Sequence, residues 1–262
     1  MIRKILLLPL LSASLMWTQE ARPSGTTPSP ADLAGTTARG RMLEEYDVAA
    51  SHATDAVEAL KADFPSAPLY LAHYHGGKWE VAFGRMSPQG DKFLIVYKAS
   101  EGATPEQFTA KKIDPPEEDK GFYFEAAKAM ATTWKDFGKP SRPYNQYILP
   151  TDSGELYVYF LPAQTTSGVY PLGGDVRYTV TQDGGTIVAK RQMHKTIIEK
   201  KNDLPAGQTA TGGYHTHVLN DDIEDSDVFH VLNRRPSIPE FIGTPDKHVY
   251  AIEVDGTIKQ QK

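Results

Sequence analysis

The chain contains no cysteine. Disulfide frameworks, thiolate zinc sites and cysteine nucleophiles are therefore excluded together, and any metal site must be assembled from His, Asp and Glu. Charge of one sign is also scarce: 28 Lys and Arg stand against 33 Asp and Glu, a net charge of −5, with the basic residues scattered rather than striped. That distribution is not the electrostatic footprint of a nucleic-acid-binding surface. Long apolar runs are missing too. The best, Ile5 to Leu11 and weakly on to Trp17, is too short to span a membrane comfortably. Neither a Gly-x-Ser-x-Gly elbow nor a phosphate-binding loop is present.

What the sequence does hold is aromatic: 10% of its 262 residues, 13 of them Tyr, a composition that suits packed β-structure. The length allows one large domain or two small ones. Arg3 and Lys4 precede the N-terminal apolar run, and the small residues Ser12, Ala13, Ser14 and Ala21 follow within it or after it. This is the layout of a signal peptide over residues 1–21, and it predicts export to a bacterial periplasm or beyond, with no integral membrane span left after cleavage. Residues 22–40, rich in Pro, Ser, Thr and Gly, read as a flexible linker.

From residue 41 the pattern turns helical, with Leu43, Tyr46, Ala50, Ala53, Val57, Leu60 and Phe64 recurring at three- and four-residue steps. Strand-like segments follow at 69–75, 78–86 and 92–99, so residues 41–113 form an α+β unit: one helix and an antiparallel meander. Residues 114–121 read as an exposed connection to the remaining unit, 121–262. That unit opens with a second amphipathic helix carrying Tyr123, Ala127, Met130, Trp134 and Phe137 on one face. Strands are expected at 145–149, 155–163, 175–182 and 186–199. A short strand GGYHTHV, a brief helix near 226–233 and a C-terminal hairpin turning at Asp255-Gly256 follow.

The chemistry concentrates in GGYHTHVLNDDIEDSDVFH, residues 212–230. On a strand His215 and His217 share a face, a natural pair of ligands for a borderline metal such as zinc. Asp227, separated from His217 by nine residues and with a helix beginning around it, is placed to return a carboxylate as a third ligand. Two His and one acid with a position left open is the donor set of a catalytic zinc site. A second His-x-His, His73 and His75, has the same spacing but no Asp-bearing helix after it, and reads as strand and turn histidines. Asp221, Asp222 and Asp225 read as solvated loop acids, Arg234-Arg235 as a surface pair, and His230 as a neighbour of the site. The stretches at 172–175 and 183–185 read as turns.

The order YHTH, acidic loop, SDVFHVL, then FIGTPDKHVYAIEVDG resembles the JAB/MPN metalloprotease (JAMM) superfamily, concentrated in residues 212–256. The resemblance implies a curved β-sheet flanked by helices in the C-terminal half, with His215, His217 and Asp227 as zinc ligands. It also implies hydrolysis of peptide or isopeptide bonds in a peptide or protein substrate. Three features depart from the family pattern. The His-to-Asp spacing is one residue short. Ser226 is out of register with the serine that assists the oxyanion, and Glu224 sits near that serine's place. The upstream strand, YNQYIL, offers Asn145 and Gln146 where the family has its general-base Glu; Glu155 and Glu199 are the substitutes at hand. Two functions follow: an exported zinc-dependent peptidase or amidase, or a non-catalytic binding or scaffold protein that keeps the fold without the base.

Overall fold

A computed structural model describes residues 27–201 and 209–262. The expected signal peptide, and the start of the expected linker, lie outside the described residues. The described residues form a mixed α+β structure with three α-helices. In order, the elements are α1 (Pro30–Glu58), β1 (Leu69–His75), β2 (Lys78–Met86), β3 (Phe93–Glu101), β4 (Phe108–Asp119), α2 (Phe122–Phe137), β5 (Tyr144–Pro150) and β6 (Leu156–Pro162). Then follow β7 (Val169–Gly173), β8 (Val176–Val180), β9 (Ile187–Gln192), β10 (Ile197–Lys201), β11 (Gly213–Thr216), α3 (Asp225–Asn233), β12 (Glu240–Gly243), β13 (Val249–Ile252) and β14 (Ile258–Gln260). None of the described helices is long and apolar enough to cross a membrane.

Residues 30–40 are not a linker; they are the first turns of α1. Ser29 caps the helix through its Oγ, 3.2 Å from the Asp32 amide, while the Asp32 carboxylate accepts from the Ser29 amide at 2.9 Å, and Pro30 supplies a fixed φ at the first position. The buried face, Thr36, Gly40, Leu43, Tyr46, Ala50, Ala53 and Val57, extends the expected stripe backwards by two turns. Gly40 is there because α3 crosses against it. A Cβ would meet Val228 Cγ1 at 2.6 Å and the Asp225 carbonyl at 2.8 Å. The helix ends at Glu58, ahead of the prolines expected to stop it.

β1 to β4 form the expected antiparallel meander, in that spatial order. The segment taken as an exposed connection is instead the second half of β4, whose Pro115 and Pro116 are tolerated because β4 is an edge strand. A second antiparallel sheet has the order β5-β6-β8-β9. Two aromatic-rich cores join the sheets. One gathers Leu43, Tyr46 and Trp79 with Tyr147, Tyr159 and Met193; the other gathers Leu71 and Phe93 with Tyr123, Phe160 and Tyr178. Both draw on segments either side of residues 114–121.

The expected strand 186–199 is broken at Met193–Thr196, and its second half, β10, leaves the sheet to pair with β7 as a two-stranded ribbon. β7 was not expected; its sequence, with Pro171 and Gly173, lacks strand character. The last sheet, β11-β12-β13-β14, is antiparallel except for β11 and β12, which run parallel. β12, four residues between Pro-rich flanks, stands where the sequence pattern gives only a loop. α3 packs over this sheet through Val228 and Val231 against Ile242, Tyr250 and Ile252.

Candidate metal centre

β11 places His215 on the strand and His217 just past its end, where the His217 amide still donates to the Gly243 carbonyl of β12 at 2.9 Å. The two rings therefore share a face, with Nε2 atoms 3.3 Å apart. Asp227, in the first turn of α3, comes down onto them: its Oδ1 lies 3.1 Å from His215 Nε2 and its Oδ2 3.2 Å from His217 Nε2. Oδ2 also accepts from the Glu224 amide at 2.8 Å, which fixes the carboxylate's rotamer. The three residues named from the sequence are thus brought together.

A fourth donor joins them. His194, in the break between β9 and β10, puts its Nε2 2.9 Å from His217 Nε2 and 3.1 Å from Asp227 Oδ1. All four residues are buried, and their donor atoms lie within 4.8 Å of one another. This group could hold a metal ion. A tetrahedron of ligands about 2.0–2.1 Å from a zinc ion has edges of about 3.3 Å. With Asp227 Oδ1 as the carboxylate donor, four of the six donor separations run from 2.9 to 3.3 Å.

The far nitrogen of every ring is also engaged. His194 Nδ1 is 2.8 Å from Asp175 Oδ1, His215 Nδ1 is 3.0 Å from Glu240 Oε1, and His217 Nδ1 is 2.6 Å from the Asp222 carbonyl. Outer partners of this kind fix the tautomer that leaves Nε2 free to ligate. Asp175 reaches its place because Gly173 and Gly174, at φ 86° and 68°, turn the chain sharply out of β7. Glu240 reaches His215 because Gly213 has no side chain; a Cβ there would fall on the Glu240 carboxylate.

The anions are themselves held. Arg191 binds Glu224 through Nε at 2.9 Å and Asp222 through Nη2 at 2.9 Å. Arg177 and Arg39 bind Asp225 at 2.7 and 2.9 Å, with the Tyr159 hydroxyl donating at 2.8 Å. Arg234 and Lys200 bind Glu240 at 3.0 and 2.9 Å. Asp222 and Asp225 are therefore not solvated loop acids, being matched by arginines far along the chain, and Arg234 is not at the surface but buried against Glu240, six residues on. Nor is the 172–175 stretch only a turn, since it ends β7 and delivers Asp175.

Burial alone would hold these histidines neutral. For His194 it is outweighed by Asp175 and Asp227, which raise its pKa well above the ordinary value. For His215 the bonds to Asp227 and Glu240 do the same to a smaller degree. Burial opposes ionisation of Asp227, but His194 and His217 hold it well below the usual carboxylate range.

The remaining sequence candidates fall elsewhere. Glu155 is in the β5–β6 turn, taking the Ser153 hydroxyl at 3.0 Å, and Glu199 is on β10, paired with Arg142. Neither touches the cluster. Ser226 is buried with its Oγ 3.9 Å from Met193 Sδ. His230 is buried one turn after Asp227, 3.4 Å from Arg234 Nη1, and touches none of the four donors. His73 and His75 remain a plain strand pair: His73 stacks on Phe122 at 3.8 Å, and among the described residues no cluster of three candidate ligands includes them. A cleft of about 160 Å³ opens beside the cluster, lined by His194, His215, Leu172, Ile198, Val218 and Leu219. Comparison of the chain with protein families, curated proteins and solved structures finds no match.

Proposed function

We propose that the protein is a zinc-binding protein whose centre combines a JAB/MPN-like His215/His217/Asp227 set with a fourth protein ligand, His194. The observation that carries this reading is the convergence of four buried donors, His194, His215 and His217 Nε2 with Asp227 Oδ1, four of whose six separations lie between 2.9 and 3.3 Å, near the edge length of a zinc tetrahedron. Bound zinc supplies rigidity to a four-ligand site and Lewis acidity to an open one. Four buried protein donors favour the first. The nearby carboxylates are also committed: Glu224 to Arg191, Glu240 to His215, Lys200 and Arg234, and Asp175 to His194. This favours a binding or scaffold role for the fold over peptide hydrolysis, and zinc over softer metals because no sulfur donor is offered.

The second reading, an exported peptidase or amidase, rests on a different observation. The 160 Å³ cleft meets the cluster at His194 and His215, and His194 is backed by Asp175. Were His194 to withdraw toward that cleft, its Nε2, oriented by Asp175, would be an imidazole base beside an open position. A base acting through a water would sit farther from the other donors than 2.9–3.1 Å, which supports His194 as a ligand over His194 as a base. The test is metal analysis after zinc reconstitution, with peptide hydrolysis assayed on wild type and His194→Ala. One zinc per chain and an inactive wild type support the first reading. Hydrolysis by wild type, lost in His194→Ala, would establish the second, and absence of zinc would remove both.

A further inference from the structure

A second cavity, of about 240 Å³, lies among α1, β5, β7 and α3, bounded by Asp47, Asn145, Tyr147, Phe229, His230 and Asn233. None of the four cluster residues lines it. Its one acid is Asp47. Asp47 Oδ1 accepts from the Tyr147 hydroxyl at 2.8 Å and Oδ2 from Asn233 Nδ2 at 3.0 Å. Both donors are neutral, and no ion pair joins Asp47 to another described residue. This sets it apart from Asp222, Glu224, Asp225 and Glu240, each of which meets Arg or Lys.

Each Asp47 oxygen accepts one bond and keeps further lone-pair capacity. Burying a carboxylate without a counter-charge is costly, and here burial holds its pKa above the ordinary value in spite of both hydrogen bonds. The walls add to the negative field. His230 and Asn233 belong to the last turn of α3, where helix carbonyls favour a cation. The Tyr147 and Phe229 rings, 5.6 Å apart, present aromatic surface, and Tyr170 stands across from them. The nearby cations are already engaged: Arg142 with Glu199, Arg234 and Lys200 both with Glu240, and Arg235 with Glu44. His230 is held neutral by burial and by Arg234.

We propose that this cavity binds a compact organic cation, a primary ammonium or guanidinium head on a short carbon stem, with Asp47 as its counter-ion and the Tyr147–Phe229 wall against the stem. The volume admits a ligand of a few heavy atoms and excludes a folded partner. The competing account makes Asp47 only a tie between α1, β5 and α3, and the two differ in what they expect of added ligand.

The experiment is calorimetric titration of the full chain with n-butylamine and with methylguanidine at neutral pH, using 1-butanol as the uncharged counterpart. Saturable binding of at least one cation, and none of 1-butanol, is expected. Asp47→Asn should abolish it. Because that variant removes a buried hydrogen-bond hub, Gln164→Lys is the second arm. Gln164 is exposed at the cavity rim, so the variant keeps the fold while a like charge at the mouth lowers cation affinity about tenfold. Zinc content should be unchanged in both variants, which separates this site from the metal centre. Failure of both cations to bind, equal binding of 1-butanol, or wild-type affinity in Gln164→Lys would overturn the proposal.

Discussion

The chain contains the same tripeptide geometry twice. His73 and His75 on β1 and His215 and His217 at the end of β11 have identical spacing, and in both the rings lie near each other, with centroids 4.9 and 5.2 Å apart. One pair is half-open, with His73 stacked on Phe122; the other is buried beneath Asp227 and His194. The strand decides only that two imidazoles share a face. What packs across that face decides whether further donors join them. Over β1 it is the aromatic start of α2, and over β11 it is the capped first turn of α3 and the break in β9–β10.

Removing Asp227 should break this difference most completely. Asp227→Ala or His217→Ala is expected to strip the zinc that wild type retains through gel filtration, while His73→Ala and His75→Ala leave metal content unchanged; elemental analysis reads both. With zinc at a hundredfold excess over its dissociation constant, the loss of binding would lower stability by about 2.7 kcal/mol.

Next comes the charge lattice that only the second pair possesses. Arg191→Met leaves Glu224 buried without its cation, and chemical denaturation should show a loss of about 3–5 kcal/mol. A smaller effect concerns acid. Burial first, then Arg234, pushes His230 down to about 3 from an ordinary 6.5. The folded state therefore binds this proton less readily than the unfolded chain. Its contribution is complete above about pH 6.5 and is lost as pH falls, by about 2 kcal/mol at pH 5. His230→Phe should flatten the stability profile between pH 6.5 and 4 relative to wild type; an unchanged slope would show that this histidine is not the source. The smallest effect is none: Glu155→Gln and Glu199→Gln should keep wild-type zinc content and stability, since neither meets the cluster.

How much of this was legible in the sequence depends on the range of the interaction. The meander, the helix α3, the C-terminal hairpin and three of the four donors follow from periodicity, turn residues and a spacing within one local segment. The start of α1 was legible in Ser29, Pro30 and Asp32, but the surrounding Pro, Ser and Thr read as linker. The rest was not local. His194 carries no motif of its own, and it joins the cluster only because β10 peels away to pair with β7. The acids after His217 look solvated until Arg39, 186 residues from Asp225, and Arg191, 31 from Asp222, are brought to them. Composition has no means of recording such pairings.

The central claim is that His194 completes the metal's coordination sphere, and X-ray absorption at the zinc edge tests it most directly. Zinc-loaded wild type should give a four-coordinate nitrogen and oxygen shell at about 2.0–2.1 Å with multiple scattering from three imidazoles. His194→Ala should lower that to two imidazoles with an oxygen donor in the vacated position. A wild-type spectrum already showing two imidazoles, unchanged by His194→Ala, would contradict the account and return the centre to an open, three-ligand site.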